Sequence, residues 1–280
     1  MKLTKGTVAV ITGAGGGIGR ALALALARKG AALALADKDA HAVANTAADA
    51  KKAGAGTVSS HAVDVADLEA MTRFRDEAKK AHGRVQLLVN NAGVALGGSF
   101  EELQLDDMRW LIEINFWGVV YGTKLFLPLL RAERRAHIVN LSSIFGIIAP
   151  PGQTAYAASK FAVRGFSEAL RHELAGSGII VTQVHPGGVR TNIARNARLP
   201  PRFDIERRDA AVKRFERMAR TTPDAAAARI LHGIERDERR VVLGADAKLL
   251  ATLQWLMPVG YWRVVERFFG PAAPRKIRRG

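Results

Sequence analysis

Six short apolar runs recur along the chain: TVAVIT (7–12), AALALA (31–36), TVSSHAV (57–63), VQLLVN (85–90), AHIVNL (136–141) and GIIVTQVH (178–185). Longer segments with helical apolar spacing separate them, and this alternation indicates βαβ units. Strands joined through helices lie parallel and are covered on both faces, so they read as nearly continuous apolar runs. The expected fold is therefore α/β, a doubly wound, mainly parallel sheet with helices on both faces. Helices are predicted over 17–29, 39–53, 67–81, 106–131, 153–175, 205–219 and 224–235, with Pro128 kinking or shortening the fourth. A last short strand in RRVVLG (239–244) brings the strand count to seven.

At 280 residues the chain suits one well-packed domain, expected over 1–244, followed by an extension over 245–280. The absence of cysteine rules out disulfides, thiolate metal sites and a cysteine nucleophile. MKLTKGTVAVITG carries no apolar leader and no small-residue cleavage site, and no apolar run approaches the ~20 residues that span a bilayer. A soluble, cytoplasmic protein is expected. The net charge of +16 is concentrated late: residues 190–280 hold 21 Lys and Arg against 10 Asp and Glu, a balance of +11. Such a patch suits nucleic acid, an anionic membrane or simply a solvated surface. No nucleic-acid motif with interleaved aromatics accompanies it, so no nucleic-acid partner is expected.

TGAGGGIGR (12–20) follows the first apolar run and opens a helix. Glycines let the backbone approach a pyrophosphate, and a helix N-terminus offers N–H groups and a positive dipole end. The spacing Gly13-x-x-x-Gly17-x-Gly19 differs from the general G-x-G-x-x-G dinucleotide fingerprint. Asp37 ends the second run 20 residues beyond Gly17, where a carboxylate accepts the ribose hydroxyls of NAD and repels the extra phosphate of NADP. NAD is the expected cofactor, with NADP possible because Lys38 follows at once.

TAYAASK (154–160) sets Tyr156 and Lys160 four positions apart, on one face of a helix. Together with the glycine loop, these residues resemble the short-chain dehydrogenase/reductase family over most of residues 5–195. Its variant glycine pattern is TGAGGGIG here, its N-N-A-G stretch is NNAG (90–93), and its Pro-Gly element is HPGGVRTN (185–192). The resemblance implies a Rossmann-type fold with a seven-stranded sheet, nicotinamide hydride transfer, and a homodimer or homotetramer built through the fourth and fifth helices. It implies Ser143, thirteen residues before Tyr156, as the active-site serine, with the neighbouring Ser142 pointing elsewhere. It implies Asn115 in INFWG as the anchor of a water that leads protons from Lys160 to solvent. The implied cofactor contacts are Gly13, Gly17, Ile18, Gly19, Asp37, Asp64, Val65, Asn91, Ala92, Gly93, Tyr156, Lys160, Pro186, Gly187, Val189 and Thr191, with Asp64 on the adenine side and Thr191 near the nicotinamide.

A free phenol loses its proton near pH ~10, so catalysis needs the phenolate stabilised. Lys160, joined by an oxidised nicotinamide ring, is expected to move Tyr156 toward working pH as the proton donor or acceptor. Ser143 would orient the substrate oxygen. No metal is expected: His172 and His185 lack partners at ligand spacing and read as structural. The expected activity is NAD(P)-dependent interconversion of a secondary alcohol and a ketone or aldehyde, with a basic lid over 192–222. Residues 249–280 alternate bulky apolar side chains with Arg, which suits covering a hydrophobic cleft, packing a neighbouring subunit or resting on an anionic membrane. The alternative reading is a regulatory or peripheral membrane protein on the same scaffold.

Overall fold

The computed structural model describes residues 1–200, 203 and 205–269. Among these residues are seven strands: β1 (Val8–Thr12), β2 (Ala32–Asp37), β3 (Val58–Ala62), β4 (Leu87–Asn90), β5 (Ala136–Leu141), β6 (Ile179–Pro186) and β7 (Arg240–Leu243). They form one sheet in the order β3-β2-β1-β4-β5-β6-β7, and every neighbouring pair is parallel. Central strands have water on neither face: all five residues of β1 and all six of β5 are buried. The edge strand β3, VSSHA, is only partly covered and correspondingly polar.

The described residues include ten α-helices: α1 (Gly17–Ala27), α2 (Ala40–Lys52), α3 (Leu68–His82), α4 (Leu105–Ile112), α5 (Gly118–Arg131), α6 (Thr154–Glu173), α7 (Ile205–Met218), α8 (Pro223–Glu235), α9 (Ala245–Leu256) and α10 (Tyr261–Phe269). On one face of the sheet Leu22 and Leu26 of α1 and Val43 of α2 join one apolar cluster with β1 and β2, and Ile230 and Ile234 of α8 extend it toward β6 and β7. On the other, Phe74 of α3, Phe126 and Leu130 of α5 and Leu170 of α6 form one apolar cluster across the sheet; Phe74 and Phe126 meet edge-on at 5.5 Å. Where sequence spelled a stop or a start, the local chemistry obeys it. Asp39 caps α2 through the Ala42 amide, Asp67 caps α3, and Thr222 precedes Pro223 at the first turn of α8.

The single helix expected over 106–131 is interrupted by a π-helical turn, Glu113–Trp117, between α4 and α5. The extra residue turns Asn115 into the protein interior, where polar partners hold it. Pro128 falls in the last turn of α5, which ends three residues later. The extension is helical: α9 and α10 lie beside the segment Ile144–Ile148. Among the described residues, no helix is long and apolar enough to cross a membrane.

Strand order reverses direction between β1 and β4, so the loops leaving their carboxyl ends diverge and open a crevice. The glycine turn follows β1, Asp37 and Pro186 end β2 and β6, Asp64 and Val65 follow β3, Asn91–Gly93 follow β4 and Ser143 follows β5, so these residues gather at the sheet's carboxyl side.

Candidate active site

The turn after β1 is built around close contact. A side chain on Gly19 would place its Cβ 2.1 Å from the Gly13 carbonyl oxygen, and Gly17 has φ +53°, a conformation that favours glycine. No side chain caps the first turn of α1 and no acid lies in it, while space above Gly16 is open. Uncapped amides at a helix start, facing open space, fit an anionic pyrophosphate. Asp37, at the end of β2, accepts the Gly15 amide through Oδ2 at 2.8 Å and the Asp39 amide through Oδ1. Its carboxylate is thus fixed at the rim of the same turn. Lys38, which had kept the cofactor choice open, donates instead to Asp64 Oδ2 at 2.7 Å. Burial raises the Asp64 carboxyl, but the Lys38 hydrogen bond, the Ala66 amide and the Lys38 charge outweigh it and hold the group below its ordinary value.

Asn91 ties the end of β4 to the turn, donating through Nδ2 to the carbonyls of Thr12 and Gly13, both at 2.9 Å. Thr12 Oγ1 accepts the amides of Asn91 and Ala92 in return. Across the crevice, Thr191 lies against the turn: its methyl would be 3.0 Å from a Cβ on Gly17. Val65 is buried, Val189 bridges to Thr221, and Gly187 faces the Asp246 carboxylate. Pro186 ends β6, and Ile18 packs partly buried against the core.

Tyr156 and Lys160 lie on successive turns at the start of α6, only 8 % and 4 % exposed. Lys160 Nζ is 5.8 Å from the centre of the Tyr156 ring and donates to the Leu141 carbonyl at 3.1 Å. Burial lowers Lys160 to about 8. Burial also raises Tyr156 above a free phenol, and the hydrogen bond with Ser143 offsets this only in part. The expectation that Lys160 acidifies the phenol is therefore not met by the chain alone, because desolvation of phenolate dominates. Ser143 Oγ accepts the Phe145 amide at 3.1 Å. Ser142 turns the other way, donating to the Lys160 carbonyl at 2.8 Å.

Asn115 Oδ1 accepts the Val94 amide at 2.8 Å, while Nδ2 donates to the Val94 carbonyl and to Ser159 Oγ. A Cβ on Gly93 would stand 3.1 Å from Asn115 Oδ1 and 3.3 Å from Lys160 Nζ, so Gly93 marks the space the two share. Supporting residues missed in the sequence are Thr12 and Ser159, and His185, read there as structural, is a buried, hydrogen-bonded support. His185 is fully buried and donates through Nδ1 to the Ser143 carbonyl at 2.9 Å; burial pushes it down to about 4. Ser159 stood inside TAYAASK, whereas nothing in the sequence marked His185 as the partner of Ser143. His172 is exposed beside Arg171 on the outer end of α6. No cluster of three or more potential metal ligands occurs among the described residues.

Residues 7–201 match the family described as short chain dehydrogenase. The chain belongs to the short-chain dehydrogenase/reductase family. SadH of Mycobacterium tuberculosis, described as an oxidoreductase, is 46 % identical over 268 residues, covering 95 % of this chain and 96 % of its own. A short-chain dehydrogenase/reductase from Burkholderia phymatum, solved in complex with NAD, superposes with TM-score 0.84 at 32 % identity, covering 98 % of this chain and 99 % of that one. An alcohol dehydrogenase from Thermococcus sibiricus, complexed with 5-hydroxy-NADP, gives TM-score 0.72 at 28 % identity over 85 % of this chain and 94 % of that one. The chain is thus an oxidoreductase of this family with its Rossmann-type sheet. The Burkholderia phymatum structure covers 98 % of this chain, so most of the segment after β7 has a counterpart there.

Proposed function

We propose that the protein interconverts a secondary alcohol and a ketone or aldehyde with apolar flanks, using NAD in preference to NADP. The observation that carries this reading is the burial of Ser143, Tyr156, Lys160 and Asn115 together beside the crevice that the glycine turn borders. The turn and Asp37 would hold the pyrophosphate and adenosine ribose, and Thr191 would face the nicotinamide end. A bound nicotinamide would supply or accept the hydride. The protein's own part is the proton: the raised phenol of Tyr156 stays protonated at neutral pH and donates to the carbonyl oxygen during reduction. In oxidation the phenol must instead become a base, and Lys160, charged below about 8, lies within the same buried volume to favour that form. Ser143 orients the substrate oxygen, and Asn115 holds the loop at Val94 against Lys160. With Lys38 paired to Asp64, the Asp37 carboxylate would meet the adenosine ribose without Lys38 to offset its charge, which supports NAD.

Apolar side chains support the substrate class. Leu96, Leu103, Leu111 and Phe145 pack around Tyr156, with the Phe145 ring edge-on at 6.0 Å. The lid strand is docked over them: Arg198 exchanges backbone hydrogen bonds with Ala95 and Gly97 at 3.0 Å each, stacks on Trp110 at 3.7 Å and pairs with Asp107 at 2.8 Å. The same reading includes a cytoplasmic homodimer or homotetramer, in keeping with half-exposed Trp117 and Phe161 beside α5 and α6.

The test is a reduction assay over a panel of ketones and aldehydes with NADH and NADPH in parallel, run on the wild type and Tyr156→Phe. Turnover favouring NADH and lost in the variant supports the reading. Turnover that survives in the variant removes Tyr156 as the proton donor.

A further inference from the structure

The extension has two unlike sides. Inward, Ala247 is buried and Leu250, Ala251 and Tyr261 pack on Ile144, Ile147 and Ile148, and the Tyr261 hydroxyl accepts the Ala149 amide at 2.8 Å. Outward, the turn between α9 and α10 leaves five consecutive residues exposed, Trp255, Leu256, Met257, Pro258 and Val259. Trp255 is 78 % and Val259 94 % exposed. Leu249 is exposed too, and it stands two helical turns before Leu256 on the same face of α9. Scattered exposed apolar residues need no explanation, but a contiguous tip of them marks an interaction site.

Charge decides among partners. Lys248, Arg263 and Arg267 are exposed on either side of the tip, and none has a carboxylate partner in an ion pair among the described residues. Over 245–280 the sequence has seven Lys and Arg against two acids. One of those acids, Asp246, accepts the Gly188 amide. Pairing two copies through this tip would bring two such basic segments together, which like-charge repulsion opposes. A membrane interface rewards both features at once, because tryptophan and aliphatic residues enter the acyl boundary while flanking cations meet anionic headgroups.

We propose that the α9–α10 turn, Trp255–Val259, inserts into the interfacial layer of an anionic lipid bilayer, with Lys248, Arg263 and Arg267 on the headgroups. Insertion would be shallow, about 5–10 Å, as for other interfacial elements. The inference is independent of the chemistry proposed for the crevice, since none of these residues belongs to it. Docked this way, the protein holds the Ile144–Ala149 segment behind Ser143 on the membrane side.

The experiment uses the full chain and extruded vesicles of phosphatidylcholine alone or mixed with phosphatidylglycerol. Sedimentation with the mixed vesicles is expected, about tenfold weaker with phosphatidylcholine alone or in high salt. Trp255→Glu combined with Val259→Glu should abolish it, leaving the melting temperature and any oxidoreductase turnover unchanged. Trp255→Phe should still bind while losing most of the blue shift in tryptophan fluorescence. Vesicle binding that persists in the double variant overturns the proposal. So does a wild type that ignores vesicles, whether it binds DNA instead or forms a dimer that the double variant dissociates.

Discussion

The crevice and the α9–α10 extension depart from the usual distribution of side chains in opposite directions. At the crevice, polar groups are buried: Asn115, Ser159 and His185 are fully enclosed, and Lys160 nearly so. Each is hydrogen-bonded, Asn115 on both ends of its amide and Lys160 to a backbone carbonyl. In the extension, apolar groups are exposed and nothing described covers them. The first departure costs stability and is held in place by surrounding structure; the second costs the fold little and awaits a partner. Substitutions in the two regions should therefore read out differently, in chemistry and stability at the crevice and in association alone at the tip.

The largest expected effect is at the crevice centre. Tyr156→Phe should lower turnover by about 10²–10⁴-fold with cofactor affinity unchanged in a fluorescence titration, as expected of a lost proton donor. A comparable loss of cofactor binding would mean that Tyr156 serves the fold rather than the chemistry. Next comes acid sensitivity. Burial lowers His185 to about 4 and His137 to about 3, from 6.5. The unfolded chain therefore binds more protons than the folded one below pH 6.5, and stability falls as pH drops through that window. Urea unfolding near pH 7 and near pH 4.5 should differ by roughly 3–5 kcal/mol, with a shallower dependence in His185→Asn.

Lys160 gives a smaller effect with a distinctive sign. Its folded value, about 8, lies below its ordinary 10.5, so the unfolded chain binds more protons between those limits and stability rises with pH across them. Lys160→Met should be more stable than the wild type at pH 7 by about 1–3 kcal/mol, lack that rise, and turn over poorly. A destabilised Lys160→Met would show that the Leu141 hydrogen bond outweighs the buried charge. Smaller again, Asp37→Asn should shift the NADP to NAD ratio of kcat/KM by about tenfold, measured with both cofactors on one substrate. The smallest effect belongs to the extension: Trp255→Gln should change unfolding free energy by less than about 0.5 kcal/mol. A larger loss would erase the contrast, since it would make the tip part of the packed fold.

Much of this was legible before any coordinates. The six apolar runs and RRVVLG marked the seven strands to within two residues at either end, because strands covered on both faces are mostly apolar. The turn after β1 and the Tyr156–Lys160 spacing were legible for a similar reason, since backbone approach and one helical turn are local geometries. Three things were not. The π-helical turn depends on Asn115 finding Val94 and Ser159, partners 21 and 44 residues away. The diversion of Lys38 from Asp37 depends on Asp64, brought across by β3. The direction of the Tyr156 shift depends on how thoroughly water is excluded around it.

Sequence by itself determined the alternation of strands and helices through β7, the family and the candidates for the reactive groups, since these follow from period, turn chemistry and residue type within a few neighbours. Tertiary structure alone decided which of those groups share a buried volume, which charges are already paired and which apolar side chains stay in water. Desolvation and pairing are properties of what surrounds an atom, and those surroundings come from distant parts of the chain.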